Sequence, residues 1–110
     1  MRRVIVESPY AGDVAANVEY ARRCVRDCIL RGEAPIASHL LLTQPGILDD
    51  GSPHERAIGI AAGLAWLAGA DASVVYTDRG ISSGMHKGID AAKAAGVPVE
   101  FRSLVRDDAP

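Results

Sequence analysis

The stretch "ASVVYTDRGISSGM", residues 72–85, passes from an extended pattern into a helical one. Its β-branched and apolar beginning, 72–78, is typical of a buried strand. Ser82 and Ser83 then introduce a helical pattern that ends at Gly96, and serine is a favoured residue at a helix N-terminus. A strand that leads through a short loop into a helix is the repeating unit of α/β proteins.

The same unit recurs on both sides of this stretch. Strands are predicted over 2–8, 34–42, 72–78 and 97–104, and helices over 13–32, 53–68 and 82–96. The order βαβαβαβ implies parallel strands joined by right-handed crossovers. We therefore predict a single α/β domain, residues 1–110. Its sheet is small, doubly wound and Rossmann-like (flavodoxin-like), with four parallel strands in the order 2-1-3-4, flanked by three helices.

Composition and charge argue against several classes of protein. Lysine plus arginine number 12 and aspartate plus glutamate number 14, and the basic residues form no run, so no nucleic-acid partner is expected. The apolar run near the start meets Glu7 too soon for a signal peptide or a membrane span, which predicts a cytoplasmic protein without membrane contact. Cys24 and Cys28 are spaced for neither a redox motif nor a zinc site, so no metal or other cofactor is expected.

The loops after the first and third strands form the candidate ligand site. In a sheet of this order the winding direction reverses between these strands, and ligands bind beyond their carboxyl ends. Loops 7–13 and 76–85 each lead into a helix N-terminus and carry small residues that let backbone N–H groups approach an anion. Two interpretations are open for Arg56 and Arg79: they contact a phosphate, or they are ordinary surface residues. Neither loop matches a nucleotide-binding fingerprint, so two ordinary turns with serine caps are the alternative.

Five segments of the chain resemble the nucleoside 2-deoxyribosyltransferase-like superfamily, in particular its small bacterial and phage branch. They are "SPYAGD" (8–13), "APIASHLL" (34–41), "ERAIGIAAGLAWLAGAD" (55–71), "TDRGISSGM" (77–85) and "AGVPVEFR" (95–102). The resemblance implies cleavage or transfer at the N-glycosidic bond of a nucleoside or a nucleoside 5′-monophosphate. Nucleotide N-glycosidases are related members of this superfamily.

The resemblance also implies roles for individual residues. Tyr10 matches the position near the sugar, and Asp71 matches the acidic residue before the third strand. Asp78 is a further carboxylate at the end of that strand, and Glu7 completes the candidate catalytic set. The candidate substrate-binding residues are Ser8, Pro9, Gly12, His39, Ser82, Ser83, Gly84 and Met85, of which Ser82 and Gly84 match the part of the loop that holds a 5′-phosphate.

Gly88 stands where the resemblance implies the nucleophile, a helix glutamate in the pattern Gly-Met-x-x-Glu. Three interpretations are open: the chain is a catalytically inactive module that binds a nucleotide or nucleotide derivative, another carboxylate acts instead, or Gly88 only allows close packing of helix on sheet. Asp90 is a poor substitute because two residues turn a helix by about 200°. Glu7 is the better candidate, because it ends a strand beside the third strand and can enter the space that a glycine leaves open.

The middle helix, predicted over 53–68, carries no charged side chain from Ala57 to Ala68. Such a helix has no face suited to water, so something else must cover it. We expect a second copy of the chain to do so, with Gly59 and Gly63 allowing close packing and Trp66 as an anchor. The sequence therefore predicts a homo-oligomer formed through this helix.

Overall fold

The computed structural model of the protein describes residues 1–105. Strands and helices alternate along the described chain, with a short extra helix after the second strand. The elements are β1 (Arg2–Glu7), α1 (Val14–Leu30), β2 (Glu33–Ile36), α2 (Ser38–Leu41), α3 (Pro53–Ala65), β3 (Ala72–Tyr76), α4 (Ser83–Ala94) and β4 (Val99–Arg102).

The four strands form one parallel sheet in the order β2-β1-β3-β4, which confirms the predicted class and strand order. In the central pair, Val4 is level with Ala72 and Glu7 is level with Val75. The carboxyl ends of β1 and β3 therefore lie at the same edge of the sheet. The loops that follow them are neighbours in space, although more than half of the chain separates them in sequence.

Side chains of β1 alternate between two core layers, one on each face of the sheet. Val4 is buried in the cluster that contains Cys24 of α1, whereas Ile5 is buried in a cluster with Ala92 of α4. Glu7 lies two residues beyond Ile5, and successive residues of a strand point to opposite faces. The pleat of β1 thus directs Glu7 towards the α4 face, where an apolar residue would otherwise continue the core.

The second predicted strand, 34–42, is wrong in its second half. β2 ends at Ile36, and Ser38–Leu41 form α2, so four helices rather than three flank the sheet. A short and mostly apolar segment fits a strand or a helix equally well, and its pattern alone does not distinguish them. In the folded chain Leu40 packs against the core cluster on the α1 face, and His39 lies in α2 rather than at the end of a strand.

Two glycines of α3 face the rest of the same chain. A Cβ atom at Gly63 would lie 2.5 Å from Oγ of Ser38, and one at Gly59 would lie 3.2 Å from Cδ1 of Leu48. The expectation that these glycines serve the packing of a second copy is therefore wrong. They instead allow α3 to approach α2 and the loop that follows it.

The opposite face of α3 is apolar and exposed. Trp66, at the helix end, is 55% exposed and Ile58 is 46% exposed, and the helix itself has no buried residue. We call this surface the α3 face; its members are Ala57, Ile58, Ala61, Ala62, Ala65 and Trp66. Within residues 1–105, no helix combines the length and the hydropathy needed to cross a lipid bilayer.

Candidate active site

A cavity of about 180 Å³ lies beyond the carboxyl end of β1, between α2, α3 and the first turns of α4. This is the edge of the sheet at which the sequence predicts a ligand site. Of the predicted site residues, those that line the cavity are Glu7, Ser8, Tyr10, His39, Ser82, Ser83, Gly84, Met85 and Gly88.

The carboxylate of Glu7 occupies the space directly above Gly88. A Cβ atom at Gly88 would lie 2.5 Å from Oε1, 2.6 Å from Oε2 and 2.6 Å from Cδ of Glu7. Such distances are far below van der Waals contact, so no residue with a side chain fits at position 88 while Glu7 keeps this position. The glycine in the helix and the glutamate on the strand are therefore complementary, and Glu7 does not point into solvent.

Burial raises the pKa of Glu7 to about 7, from an ordinary value of 4.5. Within residues 1–105 its carboxylate accepts no hydrogen bond and pairs with no cation. The expected increase in pKa is present, but its cause is the loss of water around the carboxylate and not the approach of Asp71 or Asp78. A carboxyl in this state takes up and releases protons near neutral pH.

Ser8 and His39 form a hydrogen-bonded pair in the wall of the same cavity. Oγ of Ser8 lies 2.6 Å from Nε2 of His39, and 31 residues separate the two in sequence. Burial lowers the pKa of His39 to about 4, so its imidazole is neutral at physiological pH. The sequence indicates both residues as ligand contacts but gives no sign of their pairing, because α2 brings His39 to Ser8.

The loop after β1 is held in place by α1. Nδ2 of Asn17 donates to the carbonyl oxygens of Tyr10 at 2.9 Å and of Ala11 at 3.0 Å, and both of these residues line the cavity. Pro9 is buried behind the loop, and Gly12 is exposed with a φ of 100°, a conformation that favours glycine. Pro9 and Gly12 thus shape the loop and do not line the cavity.

The N-terminus of α4 closes one side of the cavity. Oγ of Ser82 accepts a hydrogen bond from the backbone N–H of Met85 at 3.3 Å, so the hydroxyl of Ser82 serves as the helix cap. Ser83 and Gly84 follow in the first turn and also line the cavity. The positive end of the α4 dipole is consequently directed at the ligand space.

Asp71 does not lie at this site. It immediately precedes β3, so it is at the amino edge of the sheet, opposite the cavity. Its Oδ2 accepts a hydrogen bond from the backbone N–H of Arg3 at 2.8 Å, and its own N–H donates to the carbonyl of Arg3 at 2.8 Å. The catalytic role expected for Asp71 is not supported, because parallel strands place their two ends on opposite edges.

Asp78 lies at the same edge of the sheet as the cavity but on the α1 side, where its carboxylate already accepts several hydrogen bonds from the protein. It accepts hydrogen bonds from the hydroxyls of Tyr20, at 2.6 Å, and Ser103, and from the backbone N–H groups of Leu104 and Val105. Partial burial alone would raise its pKa, but these hydrogen bonds hold the pKa of Asp78 well below its usual range. Asp78 therefore anchors the segment after β4 and does not line the cavity.

Four further charged residues contribute to the lining of the cavity. These are Arg56, Lys87, Asp50 and Glu55, whereas Arg79 stacks on an aromatic ring of α1 elsewhere in the fold. Sequence reasoning missed Asp50, Glu55 and Lys87. Lys87 directly precedes Gly88 in the sequence, which was the only indication that it lies near the cavity. No local pattern distinguishes it from a solvated lysine.

Comparison with known proteins places the chain in a family. Residues 2–102 match the family described as Domain of unknown function (DUF7768). The chain belongs to this family. No curated protein matches the sequence of this DUF7768 member.

Two solved structures are similar to the DUF7768 member in fold. One is a 2-deoxyribosyltransferase from Bacillus psychrosaccharolyticus, 19% identical, with a TM-score of 0.66 over 98% of this chain and 77% of that one. The other is the CMP N-glycosidase BcmB from Clostridium botulinum, 13% identical, with a TM-score of 0.53 over 99% of this chain and 75% of that one. These likenesses show the fold alone, and it is the fold that the sequence resemblance implies.

Proposed function

We propose that the chain binds a nucleoside or a nucleoside 5′-monophosphate in the cavity and cleaves or transfers its N-glycosidic bond. The observation that carries this proposal is the position of the Glu7 carboxylate above Gly88. In the resembled superfamily a helix glutamate attacks the sugar, and Glu7 brings a carboxylate to the same helix position from the adjoining strand. The fold shared with a 2-deoxyribosyltransferase and a CMP N-glycosidase supports this substrate class.

Glu7 has the chemistry that the attack requires. One oxygen of the ionised carboxylate bonds to the anomeric carbon, the bond to the base nitrogen breaks, and its electrons leave with the base, which takes up a proton. The glycosyl ester on Glu7 is then opened by water or by a second base. With a pKa of about 7, close to half of the Glu7 carboxyl is ionised at neutral pH. Because no cation of residues 1–105 pairs with it, the Glu7 anion also stabilises the positive charge that develops on the sugar ring.

The remaining lining residues suit the rest of such a ligand. The first turn of α4, with Ser83 and Gly84, directs backbone N–H groups and the positive end of a helix dipole at an anion such as a 5′-phosphate. Arg56 and Lys87 add two cations to the lining of the cavity. Tyr10 lies on the loop beside Glu7, where its ring is available to the sugar or the base.

The test is release of free base. The purified chain is incubated with the ribo- and deoxyribonucleosides and their 5′-monophosphates, with and without free adenine, and the products are separated by chromatography. We expect release from one substrate class. Glu7→Gln should slow it at least about 100-fold, while Asp50→Asn, which removes another carboxylate from the same cavity, should retain the rate within about tenfold.

A double substitution separates the role of Glu7 from a general effect on folding. Glu7→Ser with Gly88→Glu removes the strand carboxylate and adds one to the helix, and it should release base faster than Glu7→Ser alone. Equal losses in Glu7→Gln and Asp50→Asn would exclude Glu7 as the attacking group. If the parent binds a nucleotide by calorimetry but releases no base, the chain is the inactive binding module instead.

We also propose that the chain forms a homo-oligomer through the α3 face. The exposed side chains of Ile58 and Trp66 form part of one apolar surface, and burial against a second copy removes it from water. Light scattering after size exclusion at micromolar concentration should show an oligomer, and Trp66→Ser should dissociate it. Phe101→Ser removes a similarly exposed aromatic ring from β4 and should leave the assembly intact. A monomeric parent would contradict this proposal.

A further inference from the structure

Besides Glu7, the cavity contains two further reactive side chains, Ser8 and His39, which the proposed attack by Glu7 does not use. Ser8 directly follows Glu7 at the end of β1, and Oγ of Ser8 lies 2.6 Å from Nε2 of His39 in α2. All three side chains line the same cavity. A sugar that is bound to Glu7 is therefore beside a hydroxyl that already contacts an imidazole.

The imidazole of the pair is in its unprotonated form. His39 is neutral because of its burial, and a neutral imidazole has one ring nitrogen free to accept a hydrogen bond. When that nitrogen is Nε2, the hydroxyl of Ser8 donates to it. The lone pairs of Oγ are then free to accept a hydrogen bond from a molecule in the cavity.

We infer that Ser8 and His39 activate the water molecule that releases the sugar from Glu7, so that in this chain hydrolysis of the glycosyl ester is faster than its transfer to a second base. This inference rests on the proposed attack by Glu7. A serine within hydrogen-bonding distance of a histidine base is the arrangement by which enzymes remove a proton from a hydroxyl. Ser8 is the group that contacts the water, and His39 acts through Ser8 as a positioning and proton-accepting residue.

The step balances without any further reactant. The water oxygen bonds to the anomeric carbon while the ester bond to Glu7 breaks, and the bonding electrons return to the Glu7 carboxylate. One proton of the water passes to Oγ of Ser8 as the hydroxyl proton of Ser8 passes to Nε2 of His39. The products are the free sugar, an ionised Glu7 and a protonated His39, which loses its proton to solvent before the next turnover.

Transfer of the sugar to a second base depends less on Ser8 and His39 than hydrolysis does. Free adenine attacks through a nitrogen lone pair, so its attack does not depend on prior removal of a proton by Ser8. Loss of the pair should therefore slow hydrolysis of the glycosyl ester more than base exchange. A role limited to structure or to ligand binding would slow both reactions to the same degree.

The experiment compares the parent chain with Ser8→Ala and His39→Gln, using the 2′-deoxynucleosides and their 5′-monophosphates as substrates and free adenine as acceptor. Glutamine at position 39 retains a donor and an acceptor near Ser8, but its amide does not take up a proton. Circular dichroism establishes that each variant is folded, and either variant alone is sufficient for the comparison.

In both variants kcat for hydrolysis should fall at least about 100-fold and KM should fall with it, because the glycosyl ester accumulates, while the exchange rate stays within about threefold. A glycosyl adduct should accumulate on the intact protein by mass spectrometry, and adding Glu7→Gln should abolish it. Unchanged hydrolysis, or equal losses of hydrolysis and exchange, would overturn the inference and leave the function of Glu7 intact. A parent chain that releases no base would instead refute the proposed function.

Discussion

Replacing Glu7 with glutamine should change how the stability of the protein depends on pH. Burial gives Glu7 a folded-state pKa of about 7, compared with 4.5 for a solvated glutamate. A carboxyl with a higher pKa in the folded state binds its proton more tightly there. Its stabilising contribution is therefore complete below about pH 4.5 and is lost as the pH rises through 7. Glutamine does not titrate, so the variant should not show this loss.

The size of the effect follows from the two pKa values. At about 1.4 kcal/mol for each pKa unit, the shift from 4.5 to about 7 corresponds to roughly 3 kcal/mol of unfolding free energy. His39 acts in the opposite direction, because its folded-state pKa of about 4 lies below 6.5 and destabilises the fold as the pH falls below 6.5. Both proteins contain His39, so the difference between them isolates Glu7.

Urea unfolding of the parent and Glu7→Gln at pH 5, 6, 7 and 8, followed by circular dichroism, measures this difference. The free energy of unfolding of the variant, relative to the parent, should rise by roughly 2 to 3 kcal/mol between pH 5 and pH 8. A difference that stays flat over this range would refute the conclusion that the Glu7 carboxyl is largely shielded from water beside Gly88, without a partner among residues 1–105.

Two further substitutions test the packing around the site and the sheet beneath it. Gly88→Ala should gain less stability than the roughly 1 kcal/mol that alanine contributes in a helix, because its Cβ would overlap the Glu7 carboxyl and this end of a flexible side chain must move aside. In contrast, Gly84→Ala, whose Cβ meets nothing nearer than 4.0 Å, should be neutral or stabilising in the same thermal unfolding assay, and equal effects would contradict the clash. Arg102→Met should cost about 3 kcal/mol in urea unfolding, because it removes two hydrogen bonds of 2.7 Å from the buried carboxylate of Glu33, and a loss below about 1 kcal/mol would contradict this account.

Some features of the site could be predicted from the sequence because they depend on order along the chain. Alternating strand and helix patterns imply a parallel sheet, and the sheet order places the ends of β1 and β3 side by side. Two departures from the superfamily pattern, a glutamate ending β1 and a glycine in α4, then predict that the space left by Gly88 is open to Glu7. The structure places the carboxylate of Glu7 in that space.

Other features depend on contacts between distant residues, which no local pattern reports. Asp71 and Asp78 both flank β3, but Asp71 lies at the edge of the sheet opposite the cavity. The carboxylate of Asp78 instead accepts hydrogen bonds from the segment after β4. The segment that becomes α2, Ser38–Leu41, is compatible with a strand until its packing against the core is known. The turn into α2 is what brings His39 to Ser8.

The sequence by itself therefore determined the class of the fold and the edge of the sheet that carries the cavity, and it indicated Glu7 above Gly88 as one of three interpretations. Each of these follows from local periodicity, from handedness or from one missing side chain. Only the tertiary structure decided which carboxylates share the cavity and how far the pKa values of Glu7 and His39 move. The reason is that burial and hydrogen bonding depend on which distant residues exclude water from a side chain, and this is settled only when the helices pack on the sheet.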